Sequence, residues 1–312
     1  MNRQLEDFCT HFGLELGVDN VHNSELLARA FRKYFKLPSI LRLNDLQELG
    51  IKIGILDIRP VALPSGSRGL YSRINGDIII GYRKDDWDGS QEFTIPHEFR
   101  EIIGSVMKGL FPSFEESAGE ILENEADSFA AALLMDSKAF REDTISSGLD
   151  PIFLHEKYHK SYIAVVSRMA QVLNNDAYSP FWGMVFERKE NTPHGFLLSG
   201  CFHRAIPYIP KARYEIPNLI FPKRGQLVPL SGSLRKAVEQ NEAVYIHRLV
   251  GLDFWDRYCL SALIRPVIWK NNVMKLVVIA IPFEHNYKIT PQLNNVCPLI
   301  VKEVFQFLWG KS

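Results

Sequence analysis

Apolar positions recur at helical spacing over residues 24–35, where Leu26, Leu27, Ala30, Phe31 and Tyr34 form a stripe and Ser24 stands ready to cap. A second short helix is predicted over Ile40 to Leu49, ended by Gly50. The run IKIGILDI then alternates in part and predicts a strand, and PSGSRG is turn chemistry. Asn75-Gly76 predicts a tight turn into a second strand, Asp77 to Tyr82. After the polar loop RKDDWDGS, helices are predicted over Phe93 to Met107, with Pro96 in the first turn, over Glu116 to Met135 and over Pro151 to Leu173. The stretch NNDAYSP, residues 174–180, predicts a linker.

Beyond that linker the texture becomes β-rich. WGMVFER, GFLLSGCF and AVYIHRLV are short strand-like runs, and LSALIRPVIW and VMKLVVIAIPF form a predicted hairpin about Lys270-Asn271-Asn272. Val296, Leu299, Ile300, Val304, Phe307 and Leu308 share one face of a predicted closing helix. The pattern is therefore α+β, in two domains spanning residues 1–175 and 180–312. A length of 312 residues agrees with two domains at roughly 150 residues each.

Composition narrows the class. Apolar residues make up 46% and charged residues 23%, ordinary for a globular chain, which excludes wholesale disorder and disulfide scaffolds. The longest apolar run, Leu276 to Phe283, is far short of the about 20 residues of a membrane span. Cys9, Cys201, Cys259 and Cys297 share no CxxC spacing, so reduced thiols and a cytoplasmic location are expected, with one of them able to cap a latent metal. Residues 1–178 carry 19 Lys+Arg against 27 Asp+Glu, a net of −8, and residues 179–312 carry 17 against 9, a net of +8. Solvated surfaces that attract each other explain this, and so does a basic half that meets an anion.

Chemistry concentrates in FTIPHEFREIIG. On a helix His97 and Glu101, four residues apart, share a face and can bind one metal, while Glu98 can take a proton from an attacking water. An exposed polar helix face explains an isolated His-Glu pair equally well. ENEADSFAAALLMD strengthens the first reading. Glu123 can supply a third ligand, Asp127 one turn on can orient the imidazole, and Ala126, Ala130 and Ala131 permit close helix packing.

From about residue 24 to 173 the chain resembles the ImmA/IrrE-type metallopeptidases. The resemblance rests on the helix pair before IKIGI, the stretch VALPSGSRGLYSRINGDIIIGY, FTIPHE, ENEADSFAAALLMD and HEKYHKSYIAVVSRM. It implies a thermolysin-like zincin domain with a helix-turn-helix-like end. The implied activity is that of a metal-dependent endopeptidase that cuts an XRE-like helix-turn-helix repressor and so derepresses stress or anti-phage defence genes. It also implies a GAF-like sensory domain over residues 180–312.

The family motif is HExxH, and here Glu101 stands where the second His would be. The implied cofactor is zinc, or another divalent metal such as manganese: one imidazole and two carboxylates make a harder site than two imidazoles and one carboxylate, which favours oxygen-loving metals relative to zinc. The alternative is a pseudopeptidase that binds the repressor and senses a ligand or DNA without cutting.

A literal HExxH occurs at His155 to His159, but Lys157 and Lys160 flank it with cations and no downstream helix offers a glutamate. His194, His203, His247 and His285 have no partner spacing. Arg204, Lys211, Arg213, Lys223 and Arg224 lie among aromatic residues and can form a surface for single-stranded DNA or a nucleotide; aromatic residues are equally ordinary β-core material.

Overall fold

The structure is a computed structural model. It describes residues 3–64, 66–173, 181–189, 195–204, 227–229, 232–252, 257–288, 296 and 298–304. The chain is α+β and divides into two compact units, Met1–Ala139 and Phe140–Ser312. This division precedes the boundary at 175–180 read from the sequence, and the predicted linker at 174–180 lies outside the described residues.

The first unit opens with α1 (Arg3–Leu16), which the sequence reading did not anticipate. Its buried residues Leu5, Phe8, Cys9 and Phe12 follow helical spacing, and Phe8 meets Phe31 edge-on at 5.1 Å between ring centres. Next comes α2 (Ser24–Phe35) with the predicted bounds. Asn23, not Ser24, caps it by accepting from the Leu26 amide, and Lys36 ends it in the left-handed conformation. In α3 (Leu43–Lys52), Gly50 lies inside the helix instead of ending it. A Cβ there would fall 2.3 Å from Ile58 Cδ1, so the glycine admits the neighbouring strand.

A three-stranded sheet follows: β1 (Ile55–Val61), β2 (Gly69–Ile74) and β3 (Asp77–Arg83), in the order β1-β3-β2. β1 and β3 are parallel, whereas β2 and β3 form a hairpin turned by Asn75 and Gly76, both at positive φ. β3 is thus central, and β1 and β2 are the two edge strands. Against the sheet lies α4 (Asp88–Leu110), which begins within the segment predicted as a polar loop. Pro96 is consequently interior rather than in the first turn, and the helix forgoes the backbone bond its nitrogen would have donated. The last helix of this unit's core is α5 (Glu120–Leu134), buried along Ala126, Phe129, Ala130, Leu133 and Leu134.

The division of units falls inside α6 (Ser137–Ser146). The predicted helix over 151–173 is two helices, α7 (Pro151–Tyr158) and α8 (Tyr162–Val172). His159 breaks them apart in the left-handed conformation, and Ser161 caps the second by accepting from the Ala164 amide. Both helices belong to the second unit. A Cβ on Gly183 would lie 2.2 Å from Val166 Cγ1, so the bare glycine lets α8 sit on the sheet. Asp150 caps α7 at the Ile152 amide and accepts two bonds from Arg265, at 2.9 and 3.0 Å.

That sheet has seven strands: β4 (Phe181–Arg188), β5 (Gly195–Arg204), β6 (Leu227–Pro229), β7 (Val244–Leu252), β8 (Arg257–Trp269), β9 (Asn272–Pro282) and β10 (Leu299–Val304). Their order is β10-β7-β8-β9-β4-β5-β6, antiparallel except for β10 beside β7. One face packs Met184, Ile246, Ile264 and Val278 against Leu234 and Ala237 of α9 (Gly232–Gln240). The β8–β9 hairpin turns at Lys270 and Asn271, as predicted. The predicted closing helix is corrected: residues 299–304 are strand β10. The β-branched residues of LIVKEV and a parallel partner in β7 outweigh a helical spacing of apolar positions.

Candidate metal centre

Two helices build the site. α4 carries His97, Glu98 and Glu101, and α5 carries Glu123 and Asp127. His97 meets Asp127 of α5, while Lys108, eleven residues on, meets Glu116 just before α5 begins, so the helices run antiparallel. Their register is fixed below the surface. Arg100 is fully buried and its guanidinium donates to Glu125, whose other oxygen accepts from Ser117 at 2.8 Å and lies 3.0 Å from His22 Nδ1. An ion pair of this kind is costly to break, because either partner alone would be a stranded buried charge.

The imidazole of His97 is held from both sides. Its Nδ1 lies 3.0 Å from Asp127 Oδ1. Its Nε2 lies 3.6 Å from Glu101 Oε1 and 3.5 Å from Glu123 Oε2. One atom each from His97, Glu101 and Glu123 falls within 4.8 Å of the others, close enough for one ion to touch all three. Among the described residues this is the one group of His, Cys, Asp and Glu that meets the criterion. All of the first-unit site residues predicted from sequence therefore converge.

Glu98 points to the same cavity from a buried position, 6% exposed. Burial and the Glu101 carboxylate raise its pKa to about 7, against the lowering effect of His97 and a hydrogen bond from the Tyr71 amide. A carboxyl near neutrality can both accept and return a proton. Burial alone would depress His97, but Asp127, Glu101 and Glu98 outweigh it and lift its pKa to about 10. Without a metal the ring is therefore an imidazolium among carboxylates.

The cavity has a volume of about 560 Å³ and is roofed by β2 and the turn before it. Gly69 makes this possible: a Cβ there would stand 2.1 Å from Thr94 Cγ2 and 2.9 Å from Glu98 Oε1. Gly69 and Tyr71 were not singled out from sequence, although the alternation in GLYSRI carries a signal for the strand. Arg100 and Glu125 were also missed, because a charged pair 25 residues apart carries no sequence mark of burial.

The second HExxH differs in every respect. The helix ends between His155 and His159, so the two rings do not share a helical face. His155 Nδ1 lies 2.6 Å from the Lys160 carbonyl and its ring stacks on Tyr162 at 4.2 Å. Tyr158 and Lys157 both bond Asp143. Cys9 is packed in α1, its thiol pushed up to about 12 by burial and then by Glu6, and it adds no donor to the cluster. The side chain of Arg204 and all of Lys211, Arg213, Lys223 and Arg224 lie outside the described residues, as do His194 and Cys297. Among the described residues, no helix is long and apolar enough to cross a membrane.

No protein-family model matches the chain, and no curated protein matches it. Among solved structures it is similar to a Mycobacterium tuberculosis transcriptional regulator, at 11% identity and a TM-score of 0.54, over 96% of this chain and 89% of that one. At this identity the likeness is one of fold, and it spans nearly the full length of both chains.

Proposed function

We propose that the first unit is a metal-dependent endopeptidase of the ImmA/IrrE kind, thermolysin-like in its site, which cuts a helix-turn-helix repressor. The observation that carries this reading is the convergence of His97, Glu101 and Glu123 beside a buried carboxyl, with Asp127 behind the imidazole. These residues fit a divalent cation, and the two carboxylates favour manganese or zinc with oxygen ligands. When bound, the metal supplies Lewis-acid polarisation of the peptide carbonyl and a more acidic water. Glu98 takes the proton of the attacking water and returns it to the leaving amine. Asp127 fixes the tautomer and the tilt of His97. β2 is an edge strand, and apart from Tyr71, whose amide already donates to Glu98, it can accept an extended peptide alongside, which suits one cut in a flexible segment of the repressor.

The second unit is read as a GAF-like sensor whose ligand controls the cut, in a protein of the cytoplasm that governs stress or anti-phage genes. The neighbour's description as a transcriptional regulator supports a role in gene control. A nucleotide or single-stranded DNA is the favoured ligand class, given the net charge of +8 over residues 179–312. Incubation with the repressor encoded beside it tests the reading: wild type loaded with manganese or zinc cuts at one site, and Glu98→Gln binds metal but does not cut. A Glu98→Gln protein that still cuts removes the mechanism.

One observation favours a second reading, a pseudopeptidase that only grips the repressor. His97 lies within 3.6 Å of three carboxylates, Asp127, Glu101 and Glu123, which can pair with an imidazolium as well as with a metal. Repressor binding by a protein that takes up no metal would establish it.

A further inference from the structure

We propose that the phenol of Tyr71 is a catalytic hydrogen-bond donor in this cleft, stabilising the oxyanion that forms when a peptide carbonyl is attacked. The assignment rests on the peptidase reading and adds a residue from β2 to a site otherwise made by two helices.

The argument begins with register. Tyr71 pairs with Ile80 and Arg73 with Ile78, and both isoleucines are buried. Side chains opposite each other in an antiparallel pair share a face, so residues 69, 71 and 73 lie on the sheet face that carries these isoleucines. The flanking contacts fix that face against α4. Gly69 lies against Thr94 and Glu98, and Arg73 Nη2 donates to Ser105 Oγ at 3.0 Å. Strand residues two apart advance about 6.8 Å, and helix residues four apart about 6 Å, so strand and helix stay in step. Tyr71 therefore falls opposite the turn that bears His97, Glu98 and Glu101, and it lines the same cavity.

Three further features suit the phenol to donation. Its own amide bonds Glu98, so ring and general base are tied by one residue's backbone. Among the described residues its hydroxyl has no protein partner, which leaves the O–H for a ligand. Burial, and then the Glu101 carboxylate, raise its pKa above the usual tyrosine range while Arg73 lowers it, so the group remains a neutral donor at neutral pH.

The chemistry balances without an added reactant. The water oxygen forms a bond to the carbonyl carbon, the π pair moves onto the carbonyl oxygen, and Glu98 takes one water proton. Tyr71 donates a hydrogen bond to the new oxyanion and keeps its proton. On collapse the C=O bond re-forms, the C–N bond breaks, and Glu98 delivers its proton to the amine. A carboxylic acid remains and ionises.

The test compares the full-length wild type with Tyr71→Phe, each loaded with manganese or zinc. Two probes are titrated calorimetrically: a phosphinic peptide, whose tetrahedral charged oxygens mimic the intermediate, and a hydroxamate peptide with the same side chains. The expected result is equal metal content, hydroxamate affinity within about twofold, and phosphinic affinity reduced about 10²-fold, the usual effect of losing one oxyanion donor. Tyr71→His, which restores a donor, recovers part of the loss. Equal phosphinic affinity in wild type and Tyr71→Phe overturns the role of Tyr71 and leaves the peptidase reading standing. Loss of metal from Tyr71→Phe also overturns it, by showing a structural role. A wild type that takes up neither metal nor probe removes the peptidase reading, and this role with it.

Discussion

His97 Nδ1 and Asp127 Oδ1 stand 3.0 Å apart, across two helices and thirty residues of sequence. This bond settles which nitrogen is left for a ligand. With Nδ1 engaged, Nε2 faces Glu101 and Glu123. Asp127 is well exposed, so it contributes little to packing and much to the orientation of the ring. Asp127→Ala is expected to weaken metal binding by roughly 10–100-fold while the folded protein stays within about 1 kcal/mol of wild type. Metal titration alongside thermal unfolding measures both.

Glu101 decides the character of the site. Replacing one imidazole by a carboxylate hardens the donor set. Glu101→His is expected to raise zinc affinity and lower manganese affinity, reversing or narrowing any preference of the wild type for manganese. Competition between the two ions, read by elemental analysis after dialysis against an equimolar mixture, gives the ratio directly.

The buried Glu98 makes a pH prediction for the metal-free protein. Its pKa rises from 4.5 to about 7 on folding, so the folded state binds the proton more tightly than the unfolded state between those values. Stability from this residue is whole below about 4.5 and falls as pH rises to about 7. Glu98→Gln resembles the protonated form at every pH. It should match wild type near pH 4.5 and exceed it by roughly 2–3 kcal/mol above pH 7, from a shift of this size. Denaturant unfolding of both proteins across the range, with chelator present, checks the sign. His97 acts in the same direction at higher pH: its stabilisation is whole below 6.5 and is lost as pH approaches about 10.

Much of the site was legible because helices repeat. His97 and Glu101 lie four residues apart, as do Glu123 and Asp127, and both pairs appear on one face from spacing alone. What spacing cannot reveal is a partner distant in sequence. Residues 299–304 carry apolar positions at helical intervals, yet β7 supplies a parallel strand partner and the segment becomes β10. Arg100 and Glu125 look like surface charges until the helices pack and bury them together. Tyr71 sits in a six-residue strand whose alternation is too short to announce which face meets α4. The helix start was misplaced for a local reason: Asp88 to Ser90 read as loop, although a negative residue in the first turn suits the helix dipole.

The central claim is that His97, Glu101 and Glu123 hold one divalent ion. Elemental mass spectrometry of the purified full-length protein, after supplementation with manganese or zinc, tests it most directly, on wild type beside His97→Ala and His155→Ala. The account predicts about one equivalent per chain in wild type and in His155→Ala, and none in His97→Ala. Metal retained by His97→Ala, or no metal in the wild type, would contradict it.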